Sequence, residues 1–366
     1  MDEHAALIDL YASIRGSGGS AVLATVVRTS GSTYRRSGAR MLVASDGRSA
    51  GLISGGCLES DLRERSADVL AEGKPLLVTY DATAPGDILW GLGLGCPGIA
   101  QVLLERVAGE FASPALEFLT RIRKSRKAGA IATVYASGSG GALGSLSFLE
   151  EGEEASSPAD PLGGRLAEAC TAALGEERSS HLQVPLPGGR AEAFIEYVPP
   201  QIALTVFGAG PDAAPLVHLA GEMGWHVTLV DPRTAYLRRE LFPSADELVL
   251  EHPGERTLPP SDAFVVMTHN YENDVAAIRA IFRAGGNAYI GLLGPRTKAA
   301  MLMEKLALEG VVPAAGDTAR LHAPVGLDIG AETPDEIALA IVAEIQAAIR
   351  DRPGTPLRAR QGPIHR

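Results

Sequence analysis

The chain has 366 residues, enough for two domains of ordinary size, and a formal net charge of −11. Its only short basic run, Arg121 to Lys127, reads as an exposed helix face, and no stretch reaches the roughly 18 apolar residues of a membrane span, so nucleic acid and membrane are poor partners. Three cysteines, few and odd in number, point to a reducing compartment, with the cytoplasm as the expectation, and to no disulfide framework; the acidic start Met1-Asp2-Glu3-His4 does not resemble a signal peptide.

In chain order, Leu7, Ile8, Leu10, Tyr11 and Ile14 recur at helical spacing over Asp2 to Arg15. Strands are predicted over Ala21 to Arg28 and Arg40 to Ser45, on either side of a hydroxyl-rich loop that contains Arg35 and Arg36. The chain then enters Ser54-Gly55-Gly56-Cys57-Leu58-Glu59 and a helix over Leu58 to Ala71. A cysteine there stands at a helix N-terminus, where free N–H groups and the helix dipole favour a thiolate. After a strand at Leu76 to Tyr80, the loop Gly91-Leu92-Gly93-Leu94-Gly95-Cys96-Pro97-Gly98 places a second cysteine in a glycine-rich turn, and Ile99 to Val107 returns as a strand. Without a C-x-x-C or a cysteine/histidine cluster, a zinc or iron–sulfur site is disfavoured. Two readings of Cys57 and Cys96 stay open: a reactive or ligand-contacting thiol pair, or two small residues tolerated in tight turns. Cys170, on an amphipathic helix over Leu162 to Leu174, reads as core. Arg40, with Arg35 and Arg36, is either a partner for an anionic ligand or part of an ordinary solvated loop.

Val198-Pro199-Pro200 marks a boundary, dividing the chain into 1–198, 199–352 and a disordered tail 353–366. From Ile202 strands and helices alternate, with strands at Ala203 to Phe207, His226 to Val230, Glu247 to Leu250, Ala263 to Thr268 and Ala288 to Leu293, and helices at Asp274 to Ala284, Arg296 to Leu308 and Pro334 to Arg350. The expected fold is therefore α/β, a Rossmann-like doubly wound parallel sheet preceded by an α+β domain. Gly208-x-Gly210-x-x-Ala213 follows an apolar strand and opens a helix, and Asp231 ends the next strand about 20 residues on, as the dinucleotide fingerprint requires. NAD(P), another phosphate-bearing ligand or none are all compatible with this turn, and Arg233 reads equally as a partner for a 2′-phosphate or as a surface arginine. His269 and Arg296 end the next strands on the same edge, and two readings stay open: ligand contacts, or strand-end polar residues that satisfy turns.

The run Val27-Arg28-Thr29-Ser30-Gly31-Ser32-Thr33 to Gly38-Ala39-Arg40-Met41, with Gly55-Gly56-Cys57-Leu58-Glu59 and Gly93-Leu94-Gly95-Cys96-x-Gly98, resembles the XdhC/CoxI family, accessory proteins of xanthine dehydrogenase and aerobic carbon monoxide dehydrogenase. In the second half Val206-Phe207-Gly208-Ala209-Gly210, Val230-Asp231-Pro232-Arg233, Met267-Thr268-His269-Asn270 and Pro324-Val325-Gly326-Leu327-Asp328 are similar to that family's Rossmann domain. Ser54 stands where a further glycine is common and Pro97 where glycine or asparagine is usual, and the segment 137–187 matches least. The resemblance implies a chaperone that binds the molybdenum cofactor during sulfuration and delivers it to the apoenzyme of a molybdenum hydroxylase, with a cysteine desulfurase as a further partner. It places Cys57 and Cys96 at the cofactor, in reach of the molybdenum, with Gly55, Gly56, Glu59 and Arg40 nearby. A homodimer is expected because a symmetric pair is the commonest assembly. Iron–sulfur catalysis by this chain is not expected: plant-type two-iron centres need four cysteines each. The alternative is an NAD(P)-dependent oxidoreductase with a thiol-containing site between the two domains.

Overall fold

The computed structural model describes residues 3–56, 58–82, 98–107, 112–138, 143–155, 160–187, 189–255, 257–311, 313 and 315–361. They form two compact units, Glu3–Pro200 and the chain from Gln201 onward.

The first unit runs α1 (Glu3–Gly16), β1 (Ala21–Gly31), β2 (Arg40–Ala44), β3 (Ser49–Gly51), α2 (Glu59–Glu72), β4 (Leu76–Asp81), β5 (Gly98–Val107), α3 (Pro114–Ser125), β6 (Gly129–Ser137), β7 (Leu146–Glu150), α4 (Pro161–Glu176), β8 (Ser180–Leu186) and β9 (Gly189–Val198). Two antiparallel sheets result, ordered β3-β2-β1-β5-β4 and β7-β6-β9-β8. The central strand β1 is buried from Ala21 to Val27 because helices cover both faces. On one face Leu23 and Leu42 meet Leu7, Tyr11 and Ile14 of α1 and Leu116 and Leu119 of α3. On the other, Val22, Ala24 and Met41 meet Leu58, Leu62 and Val69 at and within α2. Cys170 on α4 packs under the second sheet against Ala132 and Ile195, fully buried, and burial pushes its thiol up to about 11.

The second unit runs β10 (Ala203–Phe207), α5 (Ala213–Glu222), β11 (His226–Val230), β12 (Glu247–Val249), β13 (Ala263–Val266), α6 (Tyr271–Ala284), β14 (Tyr289–Leu292), α7 (Arg296–Leu308), α8 (Ala315–Ala319), β15 (Leu321–His322) and α9 (Pro334–Ile349). Its six strands are all parallel in the order β12-β11-β10-β13-β14-β15, the doubly wound arrangement expected from the alternating pattern. Helices α5 and α9 cover Leu204, Val206, Val227 and Leu229, while α6 and α7 cover Phe207, Val230, Phe264 and Val266. Strand order reverses at β10, so the crevice lies beyond the C-terminal ends of β10 and β13. Helix α6 starts at Tyr271, three residues earlier than its apolar spacing suggests, because the Asn270 side chain caps it by accepting from Asn273 N–H at 3.0 Å. The sixth strand, β15, is two residues long and too short for periodicity to mark. Among the described residues no helix is long and apolar enough to cross a membrane.

Candidate functional site

At the turn before α2, the Glu59 carboxylate folds back along the chain. It accepts from the backbone N–H of Ser54 at 2.7 Å and of Ile53 at 3.2 Å, and from the Ser54 hydroxyl at 2.5 Å. The Ser54 hydroxyl oxygen in turn accepts from Leu58 N–H at 3.0 Å, so the two side chains satisfy donors on both sides of the turn in the manner of a capping box. Both residues are buried. Burial acts to raise the Glu59 pKa, but the Ser54 hydroxyl and the amides outweigh it and hold the carboxyl below its ordinary value. Between these anchors Gly56 takes φ +108°, a backbone setting that favours glycine. Gly55 lies beside the Tyr34 ring, where an added Cβ would sit 3.8 Å from the nearest ring atom.

A cavity of about 160 Å³ opens at this turn, lined by Val26, Tyr34, Ile53, Ser54, Gly55 and Tyr80 among others. Tyr34, at its rim, is 64% exposed, whereas the Tyr80 hydroxyl is tied to Asp61 at 2.5 Å. Gly55 and Glu59 therefore belong to one turn, Glu59 as its brace. Arg40 is placed differently. Its side chain is 2% exposed and forms a two-pronged ion pair with Glu196 of β9, while also donating to the Gly38 carbonyl at 3.0 Å. Glu105, also close to Arg40, is pushed up to about 7 by burial, with Arg40 opposing. Cys57 and Cys96 lie outside the described residues.

In the second unit the fingerprint turn has the backbone that close ligand approach needs. Gly208 has φ +112°, and an added Cβ would lie 2.4 Å from the Met267 carbonyl oxygen. Asp231 is 1% exposed and its carboxylate is fully engaged. One oxygen accepts from Ala209 N–H and Arg233 Nη2, both at 2.7 Å; the other accepts from Arg233 N–H at 2.8 Å and Nε at 2.9 Å. Burial acts to raise its pKa, and the Arg233 guanidinium and the amides outweigh that and hold it below the ordinary range. The turn and Arg233 suit a phosphate-bearing nucleotide, whereas Asp231 as it stands has no acceptor left for a ribose hydroxyl.

His269 sits at the end of β13 with φ +55° and reaches across the switch point, its Nε2 lying 2.8 Å from Asp212 Oδ2 at the start of α5. Arg296 is exposed at the first residue of α7. Lys298, two residues on, turns inward instead: it donates to the Leu293 carbonyl and pairs with the fully buried Asp274, which holds the Thr268 hydroxyl at 2.6 Å. Sequence reasoning passed over Asp212, Asp274 and Lys298. The one signal available was an acidic residue at position 212, beside the second glycine of the fingerprint.

The fold and these turns define a two-unit protein: an α+β unit whose Ser54–Gly56 turn is braced by Glu59, and a Rossmann unit whose crevice carries an internally tied carboxylate. Comparison with known proteins agrees. Residues 14–81 match the model of the XdhC and CoxI family, and residues 204–345 match that of the XdhC Rossmann domain. A protein of Bacillus subtilis (strain 168) described as a probable xanthine dehydrogenase subunit is 37% identical over 331 residues, covering 89% of this chain and 92% of that protein. The molybdenum cofactor insertion chaperone PaoD of Escherichia coli (strain K12) is 22% identical over 349 residues, covering 95% and 89%. A crystal structure described as a xanthine dehydrogenase from Bacillus halodurans superposes with a TM-score of 0.72 at 29% identity, over 98% of this chain and 99% of that one. The chain belongs to the XdhC/CoxI family.

Proposed function

We propose that this protein binds the molybdenum cofactor and inserts it into a xanthine dehydrogenase-type molybdenum hydroxylase, assisting the exchange of an oxo ligand for sulfide. The observation that carries the reading is the near full-length match to a molybdenum cofactor insertion chaperone, together with the match to a probable subunit of xanthine dehydrogenase. The braced turn at Ser54–Glu59, with Cys57 in its sequence, is a suitable thiol site, and the adjoining cavity has both apolar and hydroxyl-bearing walls. When bound, the cofactor would supply molybdenum and its labile ligand; Cys57 and Cys96 are the residues we assign to contact it. Glu59 holds the turn in shape rather than touching ligand. Three cysteines in the whole chain cannot ligate two plant-type iron–sulfur centres, which favours assistance to the enzyme over catalysis by this chain. The second unit, in this reading, binds a nucleotide of the NAD(P) type or another phosphate compound. A cysteine desulfurase partner, a homodimer and a cytoplasmic setting belong to the same proposal.

The test is to express a xanthine dehydrogenase-type hydroxylase with and without this chain in a host that makes molybdenum cofactor. The proposal expects the hydroxylase to gain molybdenum and activity in the presence of the chain, and to lose that gain with Cys57→Ala or Cys96→Ala. Equal molybdenum loading with and without the chain would refute it.

A further inference from the structure

The crevice of the second unit departs from an NAD-binding crevice in two places. The first is Asp231. A carboxylate offers about four acceptor sites, and all four are used, by Ala209 N–H and three donors of Arg233. At 1% exposure nothing remains to accept the ribose hydroxyls that the fingerprint's acidic residue normally takes. The exposed group at this end of the crevice is instead Arg233. Its guanidinium is held in plane by Asp231 and lies 4.2 Å from the Tyr236 ring centroid, with the side chain 41% exposed. Nη1 makes no hydrogen bond among the described residues. An arginine fixed by a carboxylate and an aromatic face is a pre-oriented donor for a phosphate oxygen.

The second place is Gly210. The fingerprint keeps this position bare so that a pyrophosphate can approach the backbone. Here an added Cβ would lie 2.4 Å from Asp212 Oδ1 and 3.5 Å from His269 Nε2. The carboxylate thus lies over the spot reserved for the pyrophosphate, latched there by His269 at 2.8 Å. A negative group at this spot repels the anion it would have to admit.

We propose that this crevice selects a nucleotide phosphorylated on the ribose 2′-oxygen, that Arg233 is the specificity residue, and that the Asp212–His269 pair weakens binding of any ligand whose pyrophosphate must reach the glycine turn. The proposal rests on the second unit being nucleotide-binding and is independent of the molybdenum cofactor.

The experiment is titration calorimetry on the full chain with 2′-AMP, 5′-AMP, NADP⁺, NAD⁺ and inorganic phosphate. The expected result is 2′-AMP over 5′-AMP, and NADP⁺ over NAD⁺, by at least about tenfold, the order of one charge-assisted hydrogen bond. Arg233→Ala should abolish both preferences and, by freeing Asp231, raise the affinity for NAD⁺. Arg233→Lys, which keeps the charge and a partner for Asp231, should lose most of the discrimination and covers the case in which the alanine variant does not fold. Asp212→Asn should tighten NADP⁺ several-fold and leave 2′-AMP unchanged. NAD⁺ binding as tightly as NADP⁺, inorganic phosphate matching 2′-AMP, or preferences that persist in both Arg233 variants would overturn the proposal while leaving a nucleotide site in place. Binding of none of the nucleotides at millimolar concentration would overturn the nucleotide reading as well.

Discussion

Replacing Glu59 by alanine removes the acceptor from three donors at once: the Ile53 and Ser54 N–H groups and the Ser54 hydroxyl. Each buried donor left without a partner costs about 1–3 kcal/mol. The hydroxyl can re-aim, and water can follow the deleted side chain, so the expected loss is about 3 kcal/mol rather than the full sum. For a unit of this size that corresponds to roughly 6–12 °C in the melting temperature. The assay is scanning calorimetry of the full chain, following the transition of the first unit, with Glu64→Ala on the exposed face of α2 as control. Glu59→Gln keeps the shape and one acceptor oxygen, so it should lie between the control and the alanine variant. The sign with pH is also set. The carboxyl is held below its ordinary value of 4.5, so its stabilisation is complete above that value and is lost as pH falls through the lower folded-state value. The glutamine variant should lack that loss. A Glu59→Ala melting temperature within about 1 °C of the control would refute the brace.

Three further outcomes follow from the same structure. Glu196→Leu leaves the Arg40 guanidinium buried without its carboxylate and should cost about 3–5 kcal/mol in urea unfolding, whereas the double variant Arg40→Leu/Glu196→Leu should recover most of it. Glu105, raised from 4.5 to about 7 by burial, binds its proton more tightly folded than unfolded; stability of the first unit should therefore fall by up to about 3 kcal/mol from pH 4.5 to 7.5, and Glu105→Gln should flatten that slope in urea titrations at the two pH values. Gly208→Ala forces a Cβ to 2.4 Å from the Met267 carbonyl oxygen at φ +112° and should cost at least about 2 kcal/mol, read as a lowered transition of the second unit.

The second unit was the more legible in sequence. Its strands are buried on both faces and read as continuous apolar runs such as Ala203–Phe207, and its turns carry glycine, asparagine and proline where the backbone needs them. β15 escaped because two residues, paired only as Ile290 with Leu321 and Gly291 with His322, leave no pattern. In the first unit individual strands were legible but their division into two sheets was not, since pairings such as Gly129 with Val198 join distant stretches that periodicity cannot connect. The same holds for side chains. Arg40 was visible as a candidate anion contact, but its partner Glu196 is 156 residues away. Glu59 was visible beside Cys57, yet its inward turn depends on the local backbone at Ile53 and Ser54. Asp231 was legible at a strand end; that Arg233 saturates it is a matter of rotamer and distance.

The central claim is that this chain carries molybdenum cofactor, and cofactor content tests it most directly. The protein is purified anaerobically from a host making the cofactor, oxidised, and assayed for pterin fluorescence together with Cys57→Ala and Cys96→Ala. The account predicts near-stoichiometric pterin in the intact protein and a marked fall in either variant. An intact protein free of pterin, binding nucleotide alone, would contradict it.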